Sequence, residues 1–294
     1  MGGAALHIRA FAKINLGFEV LGKRPDGLHE IATIMQTIDL ADDLILTPSD
    51  RIGLRCEEME VRPDNLILQA AYLMKERAGV SEGVAVECVK HIPVGGGLGG
   101  GSADAAAMLC ALWNFWDIRL DAATLRDVAG QLGADVPFCL KGGTALATGS
   151  GRELEELPDA PAHWVVLVSW RSGDPEKTGQ MYRRLGQSDW SDGAATRRQA
   201  QALREGRIDY DSMRTAFTRP VLTHWTDVGR ALAILEASDA RASSVSGAGP
   251  STFGLYESRA QAEGALHELQ AEGITAKLHH CTPAVDLRSR CQTA

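Results

Sequence analysis

The sequence predicts an α+β chain of two domains. Three observations carry that expectation. At roughly 150 residues per domain, 294 residues are enough for two. Strand-like and helix-like segments follow one another without an internal repeat, and the second half reads strand, helices, strand, helix, strand, an α+β order. Between the halves, residues 149–162 are charged and hold two prolines, the composition of a boundary. The units expected are 1–155 and 156–294.

Each element has its own signal. Residues 6–12 and 14–21 read as strands; Ile14, Leu16, Phe18 and Val20 alternate with other residues at the two-residue period of a half-buried strand. Residues 22–29, with Pro25-Asp26-Gly27, form a turn. A strand covers about 43–47. Asp64 is placed to cap a helix over 65–78, and Gly79 to end it. Residues 84–90 alternate as a strand. Ser102 opens a helix to about 115, with Ala106, Leu109, Cys110 and Trp113 as its buried stripe. Asp121 caps the next helix, whose stripe is Leu125, Val128 and Leu132, with Gly133 as its C′ residue. A loop at 134–138 and a Gly-rich strand pair near 142–149 follow. Beyond the boundary come a strand from 164, a polar, partly helical stretch over 171–215, a helix near 225–237, strands at 252–256 and 274–279 around a helix at 259–272, and a loose polar tail after about 283.

Composition excludes several function classes. Hydrophobic residues make up 45% and charged residues 23%, which rules out disorder and a fibrous repeat. No run of about 18 apolar residues exists, so no membrane span is expected. The start lacks a basic segment followed by an apolar one, so no signal peptide is expected. The net charge is −8, the pI is about 5.5, and no basic run exceeds two residues, which argues against nucleic-acid binding. An anionic ligand would have to be held by local donors against that field. The six cysteines (Cys56, Cys88, Cys110, Cys139, Cys281 and Cys291) form no C-x-x-C pair. That suits a reducing cytoplasm and argues against a disulfide framework or a zinc site. The adjacent His279 and His280 would point to opposite faces of a strand, which argues against a metal site there.

Glycine is the outlier, at 31 residues. Six of them fall within the seven positions 95–101, in the run Pro93-Val94-Gly95-Gly96-Gly97-Leu98-Gly99-Gly100-Gly101-Ser102. A glycine run costs conformational entropy. It lets backbone N–H groups approach a ligand closely, and a helix N-terminus just after it favours phosphate. Ser102 adds a hydroxyl, and Asp104 in the first turn could hold Mg²⁺ or simply favour the dipole. A Walker loop is excluded because no lysine stands between Gly101 and Ser102. A dinucleotide fingerprint matches formally at Gly95, Gly97 and Gly100, but lacks the acid expected some 20 residues on. A flexible linker is the bland alternative, yet linkers mix glycine with serine and lead nowhere.

The run 93–104 resembles the phosphate loop of the small-molecule kinases related to galactokinase, homoserine kinase and mevalonate kinase, the GHMP family. Residues 12–16 (A-K-I-N-L) resemble its N-terminal motif, and residues 245–251 (V-S-G-A-G-P-S) its C-terminal glycine motif. With R-P-D-G-L-H at 24–29 and L-G-A-D-V-P-F at 132–138, they resemble the branch that phosphorylates the 2-hydroxyl of a cytidine-diphosphate-linked methylerythritol, a step toward isoprenoid precursors. The resemblance spans about residues 8–280. It implies a ribosomal-protein-S5-like βαβ domain, then a ferredoxin-like domain, with the site in the cleft between them. It also implies ATP, expected Mg²⁺ on Ser102 or Asp104, a small-molecule acceptor, and no nucleic acid or membrane partner.

The same resemblance implies residue roles. Asp135 and Lys13 resemble the catalytic pair. An ordinary aspartate, near pKa 3.9, is a weak base for an alcohol, so Asp135 is expected mainly to orient the hydroxyl and take its proton late while Lys13 stabilises charge. By local sequence alone Asp135 also suits an Asx turn before Pro137, and Lys13 a snorkelling strand lysine. Nucleotide contacts fall on Lys90, Pro93, Gly95, Gly96, Gly97, Leu98, Gly99, Gly100, Gly101 and Ser102; Lys90 also suits a solvated strand end. Acceptor contacts fall on Asn15, His29, Thr178, Tyr182, Gly247 and Gly249. His29 would read the cytosine edge, or be a surface turn residue. Leu28 stands where relatives often place an aromatic, which leaves Tyr182 as the stacking candidate, or a helix-packing residue. The stretch before Thr178 departs from the usual apolar pattern, and Ala248 replaces an expected small polar residue. Rival readings are a related kinase acting on mevalonate, homoserine or a sugar, and a non-catalytic nucleotide- or RNA-binding module. The 24–29 turn argues against the first, and the net charge with Lys13 and Asp135 against the second.

Overall fold

The computed structural model describes residues 5–118, 121–174 and 176–285, and the backbone of 292–293. Cys291 and most of the polar tail lie outside the described residues. Strands β1 (Leu6–Lys23) and β2 (His29–Ser49) form a long antiparallel hairpin closed by the Pro-Asp-Gly turn. The first half of β2 pairs on its other side with β5 (Thr144–Gly149), and the second half with β4 (Gly83–Val89). β3 (Gly53–Cys56) runs parallel to β4, β6 (Glu153–Leu157) antiparallel to β5, and β11 (Gln292–Thr293) edges the start of β1, giving seven strands. Helix α1 (Leu66–Ala78) crosses from β3 to β4, a βαβ unit. With α2 (Gly100–Phe115), α3 (Ala122–Leu132) and the short α4 (Val136–Cys139) it covers one face of the sheet. Met74, Met108, Leu109, Leu112 and Val128 are fully buried there.

The second sheet contains β7 (Trp164–Val168), β8 (Ala242–Val245), β9 (Thr252–Tyr256) and β10 (Ala276–His280), in the order β10-β7-β9-β8, antiparallel throughout. Between β7 and β8 the chain makes α5 (Lys177–Arg183), α6 (Ala194–Arg204), α7 (Thr218–His224) and α8 (Thr226–Ala237); α9 (Arg259–Ala271) joins β9 to β10. This is the expected β-α-β-β-α-β pattern, enlarged by an excursion. α8 and α9 pack on the outer face through Ala231, Leu235, Ala262 and Leu269. The inner face is pressed against the back of the first sheet. Ile14, Leu16, Ile34 and Ile38 meet Val165, Leu167, Phe253 and Leu255 in one apolar cluster, so the two units share a core layer. Among the described residues no helix is long and apolar enough to cross a membrane.

One irregularity in β1 decides what faces the cleft. The register against β2 slips between Phe11 and Lys13. Such a bulge turns the following side chains to the other face. Ile8 and Ala10 therefore enter the helix-covered core, whereas Ile14 and Leu16 enter the inter-sheet core. Lys13 and Asn15 consequently point toward α2.

Several local expectations are corrected. The two strands at 6–12 and 14–21 are one bulged strand. β2 begins at His29 rather than near 43. The cap of α1 is Asn65, whose side chain accepts the Ile67 N–H, not Asp64. Gly79 does end α1, at φ 64°. Asp121 caps α3 as expected, by accepting the Thr124 N–H at 2.7 Å, but Gly133 is extended rather than left-handed. α2 starts at Gly100, and every residue from Ala103 to Trp113 is buried, so the helix has no single stripe. The loop around Asp135 contains α4, and the boundary segment contains β6. His279 and His280 both reach Asp39, at 2.8 and 3.1 Å, instead of diverging.

Candidate active site

The glycine run and the start of α2 form the floor of a cleft of about 1410 Å³ between the two units. Its carbonyls are tied to the scaffold. Leu98 O accepts the Lys13 N–H at 3.0 Å, Gly96 O the Ser251 N–H at 3.0 Å, and Gly97 O the Ser246 hydroxyl at 3.0 Å. The first helical bond of α2 runs from Ala103 N–H to Gly99 O at 2.9 Å. The N–H groups of Gly100, Gly101 and Ser102 are thus the open donors of a 16-residue helix, on its positive end. Packing also demands glycine here. Gly97 sits at φ 85°, and a Cβ on it would strike the backbone of Ser246 and Gly249 in the facing turn. Gly247, at φ 54°, faces back; a Cβ there would lie 3.3 Å from Asn15 Oδ1 and 3.5 Å from Lys13 Nζ.

Lys13 lies beside Gly99 and is almost wholly buried. Its Nζ donates to Asn15 Oδ1 at 2.7 Å and stands 3.6 Å from Asp135 Oδ2. Asn15 is held in turn, donating to Thr33 Oγ1 at 2.8 Å, while the Thr33 hydroxyl donates to Gly17 O at 2.6 Å. Asp135 heads α4, with Pro137 in the first turn, and its carboxylate is 37% exposed toward the cleft. An anchored cation thus faces a carboxylate that substrate can reach.

Lys90 is arranged differently from a solvated strand end. Its ammonium is buried beneath the start of α2, donates to Asp104 Oδ2 at 2.6 Å and also bonds Asp42. Burial alone would lower its pKa, but the charges of Asp104 and Asp42 raise it well above the usual lysine range. Burial pushes Asp104 the other way from a free carboxyl, up to about 7. Asp42 Oδ1 also accepts the N–H groups of His91 and Ile92, at 2.5 and 2.7 Å. The cluster therefore anchors the chain that leads into the glycine run. Asp104 Oδ1 is buried with no hydrogen-bond partner among the described residues.

At the other end of the cleft, Arg24 and Asp26 shape the turn before His29. Arg24 bonds Glu30 at 2.6 Å, and Asp26 Oδ1 accepts the Leu28 N–H at 3.0 Å. His29 stacks on Tyr182, with ring centroids 4.8 Å apart at 28°, and Tyr182 and Phe217 meet in a T-shaped contact at 4.9 Å. Burial, with the charge of Lys23, lowers the His29 pKa below its ordinary 6.5, which favours the neutral ring. Leu28 is 52% exposed at the rim. Thr178 lines the cleft one turn before Tyr182. Ala248 is buried in the apolar cluster of Met181 and Phe217, which gives its methyl group a place.

Every residue expected at the site lines this cleft except Asn15, which lies behind Lys13, and Gly249, on the far side of the 247–249 turn. Sequence reasoning missed one residue. Lys177, the first residue of α5, is 5% exposed in the cleft wall, and its ammonium donates to the Gly249 carbonyl. A lysine in a polar stretch carries no sign of burial; its position directly before Thr178 was the one available signal.

Comparison with known proteins agrees with this geometry. The family model described as GHMP kinases N terminal domain matches residues 65–143, and the one described as GHMP kinases C terminal matches 200–275. The 4-diphosphocytidyl-2-C-methyl-D-erythritol kinase of Acaryochloris marina is 38% identical, over 90% of this chain and 92% of its own. That of Listeria monocytogenes is 38% identical over 88% and 89%. A crystal structure of 4-(cytidine 5'-diphospho)-2C-methyl-D-erythritol kinase superposes with a TM-score of 0.78 at 32% identity, over 94% of this chain and 98% of the other. A homoserine kinase from Cytophaga hutchinsonii, 19% identical with a TM-score of 0.74 over 96% of each chain, shares the fold.

Proposed function

This chain belongs to the GHMP kinase family, and from that premise we propose that it transfers the γ-phosphoryl group of ATP to the 2-hydroxyl of 4-diphosphocytidyl-2-C-methyl-D-erythritol. The products are ADP and the 2-phosphate, in the non-mevalonate route to isoprenoid precursors. The observation that carries the chemistry is the Lys13–Asp135 pair, 3.6 Å apart beside the open N–H groups of α2. Phosphoryl transfer needs positioning and charge stabilisation more than covalent help.

In this assignment the N–H groups of Gly100, Gly101 and Ser102 cradle the nucleotide phosphates. Asp135 accepts a hydrogen bond from the acceptor hydroxyl, orients it in line and takes its proton as the new P–O bond forms. Lys13, fixed by Asn15, sits where negative charge grows and keeps Asp135 oriented. His29 and Tyr182 hold the cytosine, the neutral imidazole offering one ring nitrogen to the base edge and the phenol ring the face that His29 does not cover. Thr178 and the Gly247–Gly249 turn flank the acceptor's diphosphate. Lys90 acts through the loop it anchors rather than as a solvated contact.

Mg²⁺ would neutralise the β- and γ-phosphate oxygens. The Ser102 hydroxyl at the head of α2 fits such an ion. Asp104 fits it less well, since one oxygen is held by Lys90 and the whole side chain is buried. Mg²⁺ commonly takes few protein ligands and keeps substrate phosphates and water, so one hydroxyl suffices. We assign the nucleotide to unit 1–155 and the acceptor-closing turns to unit 156–294; the two sheets support two such units, with the first sheet reaching through β6 to Leu157 and taking β11 back onto its edge. A cytoplasmic site and the absence of a nucleic-acid partner are part of the same proposal, supported by the cysteine pattern and the net charge of −8. The test is ADP release with Mg-ATP and four acceptors. Turnover is expected with the cytidine-diphosphate acceptor; turnover with mevalonate, homoserine or a sugar alone would overturn the assignment.

A further inference from the structure

We propose that Lys177 is a second cation for the transferred phosphoryl group, leaving the Gly249 carbonyl for a phosphoryl oxygen when both substrates are bound; this rests on the kinase reading above. The geometry is that of a charge awaiting a partner. Lys177 is as buried as Lys13, yet among the described residues no carboxylate lies within ion-pair distance of its ammonium. Its bond is to a neutral carbonyl in the turn that packs on Gly97. A buried ammonium without a counter-charge is costly, and an anion entering the cleft relieves that cost.

The neighbouring charges all fit the same picture. Lys13 on β1 faces the same turn through Gly247 and repels Lys177. Asp135 at the head of α4 lines the same cleft and is paired with Lys13. Asp174, just before α5, is engaged by the Glu176 N–H at 2.8 Å and the Gln180 side chain at 2.5 Å. Glu176 pairs with Arg183 at the surface. Tyr182, one turn on, stays protonated because burial and Asp135 raise its pKa. Two ammonium groups and one carboxylate therefore line the cleft in which the γ-phosphoryl group would pass, and charge on its equatorial oxygens calls for both cations. Burial, reinforced by Lys13, lowers Lys177 to about 8. In the protein without substrate it sheds its proton just above neutrality, and an arriving phosphate restores it.

The test uses full-length wild type, Lys177→Met and Lys177→Arg. Single-turnover rates are read across pH 6.5–9.5, and ADP, a non-hydrolysable ATP analogue and the acceptor are titrated separately by calorimetry. Lys177→Met is expected to bind ADP and acceptor within about twofold of wild type and to lose about 10²-fold in single-turnover rate, the scale for removing one charge-stabilising donor. Wild type is expected to lose apparent ATP affinity above about pH 8. Lys177→Arg, whose guanidinium stays charged, is expected to recover part of the rate and lose that alkaline limb. A Lys177→Met rate within threefold of wild type overturns the proposal. So does a loss confined to acceptor affinity, which would assign Lys177 to the acceptor's diphosphate, or unfolding of both variants by circular dichroism, which would make it structural. A wild type that binds the ATP analogue yet turns over no acceptor would instead overturn the function on which the proposal rests.

Discussion

Alanine at Gly97 and at Gly101 should have opposite effects, although both glycines lie in one run. At Gly97 the backbone is left-handed, which costs an L-residue about 1–2 kcal/mol. The new Cβ would also sit 2.9 Å from the Gly249 carbonyl oxygen and closer still to that of Ser246. Both are backbone atoms in a packed turn and cannot rotate away. Overpacking of that kind costs about 1–3 kcal/mol. Gly97→Ala should therefore destabilise by about 2–5 kcal/mol. At roughly 2–4 °C per kcal/mol for a chain of this size, its melting temperature should fall by about 4–20 °C. Gly101 is in the first turn of α2, and a Cβ there meets a single atom of Leu66 at 3.6 Å. Alanine favours a helix over glycine by about 0.8–1 kcal/mol, so Gly101→Ala should melt at or above the wild-type temperature. It should instead weaken ATP, because its methyl group intrudes on the open N–H groups. The assay is differential scanning calorimetry of both variants, with ATP titration of each. Equal melting temperatures for Gly97→Ala and wild type would refute the claim that the loop is shaped by packing against the 247–249 turn.

Four further outcomes are expected. Asp135→Asn should lower kcat by at least about 10²-fold with little change in ATP affinity, checked by steady-state kinetics; a near-normal rate would remove its role in proton transfer. Lys90→Met should cost about 3–5 kcal/mol in denaturant unfolding, because Asp42 and Asp104 are left buried without their cation. Asp104 is raised from 3.8 to about 7, so the folded state holds a proton the unfolded chain has lost between those values. It subtracts stability as pH rises through that window, and Asp104→Asn should flatten that fall. For His29 the folded pKa lies below 6.5 because of burial and Lys23. The ring is then neutral to a lower pH than a free imidazole, so acceptor KM should stay flat at neutral and alkaline pH and rise on acidification only below the range in which a free histidine titrates. A KM that rises already between pH 8 and 7 would exclude the neutral ring as the contact.

What could be read from the sequence depended on whether local pattern and local environment agree. The 93–101 run was legible because its edges are chemical, a proline before and a helix start after. Pairing of Lys13 with Asp135 came through family resemblance; the residues lie over a hundred positions apart, and no period connects them. That Lys13 and Asn15 face α2 was hidden, because the slip at Phe11 leaves the alternation of Ile8, Ala10, Ile14 and Leu16 looking unbroken. Most of β2 was missed for a different reason. Residues 31–38 are buried on both faces, so no alternation exists to find. The Lys90 cluster needed Asp42, 48 residues away in sequence, and Lys177 needed the fold around it.

β2 has a further consequence for how length can vary in this molecule. In one strand it carries His29 at the acceptor end, Thr33 behind the Lys13 network, and Asp42 behind the phosphate loop. Side chains on a strand change face at every step, so Thr33 and Asp42, nine residues apart, share the cleft side only through the slip in register against β1 between Thr37 and Ala41. Removing one residue between Thr33 and Asp42 would turn one of them from the cleft to the inter-sheet core, and no local repair could satisfy both. β2 works as a ruler between the two substrates. Insertions and deletions among homologues should therefore collect in the segments before α1 and around α5, and be absent from the 29–42 stretch.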